Sequence, residues 1–197
     1  MKNKKILLPL FILVCLIQLY IPAKMIMDRE EVLSEGQTYK FRTQPIDPTD
    51  PFRGKYIVLN YEANSVEIDT SDQWIYGDQI FVTLTENEEG FTVPDKVFKE
   101  KPGSGETFIT AKIGGTQPYN KPPILIIDYP FNKFFMEESM APVAETVHRE
   151  SQQDSLVDSY SIVKVLNGEA VLDDVVIGDR SIREIVKERQ DQSNNSN

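Results

Sequence analysis

Nitrogen and sulfur ligands are almost missing from this chain. Its 197 residues include one cysteine, Cys15, and one histidine, His148. A single cysteine excludes an intrachain disulfide, and a zinc site would need ligands that the chain lacks. A Ser–His–Asp triad would have to use His148, and no Gly-x-Ser-x-Gly turn is there to present a nucleophile. Basic residues are also scarce beyond the N-terminus. Lys2, Lys4, Lys5 and Lys24 fall in the first 24 residues, which hold no acid; the remainder has 17 basic against 31 acidic residues, a formal charge of −14. A domain so acidic has no electrostatic footprint for nucleic acid, and anionic lipid headgroups would repel it. The same charge also serves as a hydrated, solubilising surface. No internal repeat and no second domain is visible.

What is present begins with an uninterrupted apolar run. Residues 6–23 read ILLPLFILVCLIQLYIPA, with no charge and Gln18 as the one strongly polar side chain. As a helix these 18 residues extend about 27 Å, close to the roughly 30 Å of a bilayer's hydrocarbon. Met25, Ile26 and Met27 carry the apolar character past Lys24. The Lys2, Lys4, Lys5 flank favours keeping the N-terminus in the cytoplasm. The expectation is a basic flank over residues 1–5 and a single-pass anchor over 6–27, with the rest of the chain outside the cytoplasmic membrane. A cleaved signal peptide and a buried helix are the alternatives; the small-x-small cleavage pattern near Ala23 is poor.

After a linker over residues 28–37, which continues the helix and stops at Gly36, the chain turns to short β-patterned segments. Residues 38–43 and 55–62 form two strands around a loop with Pro45, Pro48 and Pro51; apolar residues on both faces of the second suggest a central strand. Residues 64–76 read as a polar connection and 79–85 as a strand. Residues 91–93 and 96–99 form a strand broken by Pro94, hence an edge or a bulge. Residues 107–113 alternate as a half-buried strand does, 114–123 read as a loop, and 124–129 and 131–136 are apolar and aromatic. Residues 137–154 are the only good helical stretch outside the anchor. Asn167-Gly168, between residues 160–166 and 169–177, is the strongest hairpin signal in the chain. Residues 180–190 read as strand then frayed helix, and 191–197 as a disordered tail. About eight strands and one short helix predict a mainly β fold, all-β or α+β. It is a single antiparallel sandwich or barrel-like domain over residues 38–190 behind one transmembrane helix.

The segment Pro45-Ile46-Asp47-Pro48-Thr49-Asp50-Pro51-Phe52-Arg53-Gly54-Lys55-Tyr56-Ile57-Val58-Leu59-Asn60-Tyr61 resembles the GDYXXLXY family of bacterial membrane-anchored proteins. That family's Gly-Asp-Tyr-x-x-Leu-x-Tyr motif follows a Pro-x-Asp-Pro-x-Asp-Pro-x-Arg run. Gly54, Tyr56, Leu59 and Tyr61 match, while Lys55 stands where the motif has aspartate; Asp47, Asp50 and Arg53 are the charged matches. Residues 128–137, ending in Glu137, are similar to the family's second aromatic block, and residues 163–170 to its late hairpin. The resemblance implies an anchored module that accompanies a multi-spanning membrane protein. It implies no particular reaction and no cofactor or metal, and it marks Asp47, Asp50, Arg53, Gly54, Tyr56, Leu59, Tyr61 and Glu137 as the binding candidates.

Each candidate has a structural reading as well. Asp47 and Asp50 could receive a cation or a partner's basic group, but a calcium site needs six or more oxygens; Asp side chains closing turns, with Arg53 bridging one, explain the same residues. Tyr56, Leu59 and Tyr61 suit strand packing, and Phe131, Phe134 and Phe135 suit a core, with a partner-binding patch as the alternative. Glu137 and Glu138 are adjacent acids of the kind that favour a helix start. The expected function is an accessory or binding domain contacting membrane lipid through its helix and a membrane protein or envelope ligand through its domain. The alternative is an anchored hydrolase of the serine–lysine type resembling signal peptidase, with Ser139 and Lys164, although nothing in the sequence brings those two together.

Overall fold

The computed structural model describes residues 4–44, 56–69, 73–103, 105–137, 140, 143–144, 146–147, 150–151 and 158–195. Helix α1 spans Lys4–Glu35 without a break and passes through Pro9 and Pro22. It is long and apolar enough to cross a membrane, and the apolar window is not buried by the rest of the chain. Only its last turns touch the domain: Val32 is buried and Leu33 half-buried against the sheet that follows. The stretch read as a linker is therefore the top of the same helix. Gly36 ends it, its N–H donating to Val32 O at 2.9 Å. The expectation of a C-cap glycine holds for a different reason than backbone freedom. A Cβ on Gly36 would collide with the Val32 carbonyl oxygen and lie 3.1 Å from the Val165 nitrogen, so glycine lets the helix end press against a strand.

The domain is antiparallel throughout its pairings. Strand β1 (Gln37–Gln44) starts directly after Gly36 and pairs with β10 (Ser159–Leu166), Gln37 opposite Val165 and Arg42 opposite Tyr160. The hairpin from β10 to β11 (Glu169–Ile177) turns at Asn167 and Gly168, with φ of 54° and 93°. Two positive φ values are what a type I′ turn demands and what Asn-Gly supplies. The next neighbour is β12 (Arg180–Ser181), and β3 (Asn60–Tyr61) closes the other side, giving the order β12-β11-β10-β1-β3.

The second five-stranded sheet has the order β4-β8-β7-β5-β6, formed by β4 (Ser65–Glu67), β5 (Gln79–Glu86), β6 (Thr92–Phe98), β7 (Phe108–Gln117) and β8 (Ile124–Asp128). Its outer strands β4 and β6 approach one another, so the sheet curls into a nearly closed barrel. Bulges beside Pro94 in β6 and at Gly114–Gly115 in β7 supply the bending that such curling needs. Strand β6 is an edge strand with an irregular register at its proline, as the sequence predicts. Arg42 ties the two sheets together. It pairs with Glu89 at 2.6 Å and Asp158 at 2.9 Å, and its guanidinium lies 4.3 Å over the Phe91 ring.

Several expectations need correction. The segment 64–76 is not wholly a connection, because it contains β4; β7 runs on to Gln117, into the stretch read as a loop. The described residues form twelve strands where about eight were expected. Within 137–154, residues 143–144, 146–147 and 150–151 are helical, and among the described residues the longest helix after α1 is α2, Ile182–Asn195. It extends into the stretch read as a tail. Ile182 and Val186 anchor it in the core, and Arg183 covers the Phe134 ring at 4.9 Å.

Candidate functional site

The strand expected over residues 55–62 splits at Leu59. Strand β2 (Tyr56–Val58) pairs with β9 (Lys133–Phe135) in a separate two-stranded sheet, whereas β3 pairs with β1, Tyr61 opposite Thr43. Leu59 sits at the switch, its N–H donating to Asn132 O at 2.9 Å. Side chains nevertheless keep alternating across the break. Ile57, Leu59 and Tyr61 are buried, while Tyr56 and Val58 are half-exposed and Asn60 is exposed. This is a strand with one core face and one outward face, not a central strand buried on both sides.

The inward half is the core of the molecule. The Tyr61 ring packs edge-on to Phe41 at 5.7 Å and Phe131 at 5.3 Å, and Tyr129 stacks on Phe131 at 5.0 Å. The Tyr61 hydroxyl donates to Phe131 O at 2.9 Å and lies 3.3 Å from Ser161 Oγ; that of Tyr129 donates to Ala63 O at 2.8 Å. Burial pushes both phenols well above the ordinary tyrosine value; for Tyr61 the Ser161 hydrogen bond pulls partly the other way. Both rings thus act as neutral hydrogen-bond donors that fasten loops to the core. Leu59 and Tyr61 have no surface to offer a ligand, each being only 2 % exposed.

The outward half is different. Tyr56 lies directly opposite Phe135, with ring centroids 5.4 Å apart, and the Lys133 ammonium sits 5.2 Å above the Tyr56 ring. Phe135 is 64 % exposed, whereas its neighbours Phe131 and Phe134 are 2 % exposed. The aromatic block therefore divides between core and surface by strand alternation. Phe135 and Lys133 belong with Tyr56, and the period-2 pattern Lys133-x-Phe135 was the signal that could have placed them there. Glu137 follows two residues after β9 with its carboxylate exposed; its carbonyl accepts the Met140 N–H at 2.9 Å. Asp47, Asp50, Arg53 and Gly54 lie outside the described residues, as do Lys55, Glu138, Ser139 and His148. Among the described residues no group of His, Cys, Asp and Glu is placed to hold a metal ion. Lys164 donates to Thr38 Oγ1 at 2.7 Å across the β1–β10 pair, and so points to a threonine. A cleft of about 710 Å³ opens beside the end of α1, between Glu35, Lys101, Glu106, Phe108 and Asn167, with the Lys101 ammonium over the Phe108 ring.

The family model described as the GDYXXLXY protein matches residues 18–175. This chain belongs to the GDYXXLXY family. No curated protein and no solved structure matches it. In this GDYXXLXY protein the described letters of the family name, Tyr56, Leu59 and Tyr61, fall on opposite faces of one extended run. Tyr56 faces outward, and Leu59 and Tyr61 face the core. The match begins within the apolar run of α1 and ends in β11, so helix α2 lies beyond it.

Proposed function

We propose that this GDYXXLXY protein is a membrane-anchored accessory domain lying outside the cytoplasmic membrane, where it binds a multi-spanning membrane protein or an envelope ligand. The observation that carries the reading is the Tyr56–Phe135 pair with Lys133 beside it. Two large aromatics half in water, held side by side on a short sheet, are residue types that protein interfaces favour. The proline-rich segment that leads into β2 ends at Lys55, so Arg53, Asp50 and Asp47 precede Tyr56 by three, six and nine residues along the chain. The acidic balance of the domain favours a partner surface with basic groups over nucleic acid or anionic headgroups. Orientation rests on Lys2, Lys4 and Lys5, which retain the N-terminus inside.

The test is photo-crosslinking in intact membranes from position 135, with position 119 as control, because Tyr119 is 96 % exposed in the turn between β7 and β8, strands of a different sheet. A discrete adduct from 135 and none from 119 is expected. Protease added to spheroplasts should also remove the domain. Equal labelling from both positions, or a domain cut only after lysis, overturns the reading.

A further inference from the structure

Helix α1 carries one amide where hydrocarbon would surround it, and that amide shares an azimuth with the domain above. Gln18 is the one strongly polar side chain in the apolar run, and it faces outward with nothing of the chain against it. It lies five residues below Ala23, about 7.5 Å of helix rise. Side chains on a helix lean toward its N-terminus, so Gln18 reaches toward the Val14–Cys15 turn, away from the nearer interface. It is badly placed to snorkel, and an amide left unpaired in lipid favours a hydrogen-bonding neighbour.

The direction in which Gln18 points is set by the top of the same helix. Fourteen residues separate it from Val32, four turns less about 40°. Val32 is buried against the domain and Leu33, one position on, is half-buried, so the two straddle the Gln18 azimuth. The helix is continuous between them. At ideal helical pitch, with Pro22 the one irregular residue between them, the domain therefore overhangs the side of the helix from which Gln18 projects.

We infer that Gln18 is a contact point for a transmembrane helix of another integral membrane protein, one that carries a hydrogen-bonding side chain at that depth and lies beneath the overhanging domain. A second copy of this chain is the poorer occupant. Its own domain overhangs the same side of its helix, and two such domains would have to fill one space above the paired anchors. The fitting partner has short loops on the domain's side of the bilayer. This deepens the accessory reading and rests on it: one partner would be held in the bilayer by Gln18 and above it by the domain.

The experiment places a photo-crosslinking residue at Phe11, on the Gln18 face, or at Leu16, on the opposite face, in the full chain in native membranes. Adducts are mapped to peptides by mass spectrometry. The expected result is an adduct from position 11 alone, mapped to a transmembrane segment with a polar residue, and weakened roughly 3- to 20-fold by Gln18→Leu but retained in Gln18→Asn. Equal adducts from both faces, an adduct with a second copy, or a yield unchanged by Gln18→Leu overturns the inference. If position 135 still crosslinks while position 11 does not, the membrane contact is wrong and the accessory reading stands. Silence from both positions removes both.

Discussion

The two faces of residues 56–61 come from one short run of backbone and have opposite fates. The inward face, Ile57, Leu59 and Tyr61, is closed over by Phe41, Tyr129, Phe131 and Phe134. The outward face leaves Tyr56 against Phe135 and under Lys133, with no layer above them among the described residues. A motif spelled with evenly weighted letters thus mixes two requirements. Leu59 and Tyr61 belong to the core, and Tyr56 stays at the surface. The lesson for reading such motifs is that spacing by two separates the roles before any chemistry is considered.

The comparison breaks most sharply at Leu59. Leu59→Ala should cost about 2–5 kcal/mol, because a fully enclosed side chain leaves a cavity where two sheets share a strand. Denaturant unfolding of the detergent-solubilised chain measures it; a loss below about 1 kcal/mol would mean the sheet switch tolerates collapse. Tyr61→Phe comes next, at roughly 1–3 kcal/mol, since the Phe131 carbonyl loses its donor inside the core.

The same hydroxyl sets a pH dependence. The folded state raises the Tyr61 and Tyr129 values above the ordinary 10.0, so their contribution is fully present below pH 10. It is lost as pH climbs past that value, where the unfolded phenols ionise first. Stability should therefore fall on the alkaline side of pH 10, and less steeply in Tyr61→Phe; a flat profile up to pH 11 would contradict the burial of both rings. The smallest effect on folding belongs to the outward face. Phe135→Ser should stay within about 0.5 kcal/mol of wild type, yet abolish the adduct from a crosslinker at Tyr56. If it unfolds the chain, Phe135 is core after all.

Local signals were read well where one residue dictates geometry. Asn167-Gly168 can hardly do other than turn with positive φ, and Pro94 cannot serve a central strand, so the hairpin and the edge strand were visible in advance. The apolar run needed only its length. What escaped depends on partners distant in the chain. Leu59 looks like any strand residue, and only the arrival of Asn132 and of β1 decides that pairing changes there. Strand β4 has a single apolar residue, Val66, and exists because β8 offers it an edge. The pair Gly114-Gly115 reads as loop, yet it is a bulge. The extra residue sits between Ile113 and Gly115, and a Cβ on Gly114 would make only ordinary contact, 3.4–3.5 Å, with Ile126 and Asp128; the bulge is a matter of register that only the pairing with β8 reveals. At the candidate site, burial of Leu59 and Tyr61 was the reading their residue types favoured. The surface position of Phe135 was masked by its two buried aromatic neighbours.

The junction at Gly36 has a mechanical consequence. Helix α1 passes into β1 through that one residue, with Val32 already clamped against the sheet, so the junction itself offers no hinge on which the domain could swivel. On the proposed reading, such a body drifts sideways in a bilayer at one altitude, with the Tyr56–Phe135 face kept at a steady tilt. Encounters become a search over a plane in place of a volume, and even a weak grip on a neighbour at the matching height is then enough to hold it.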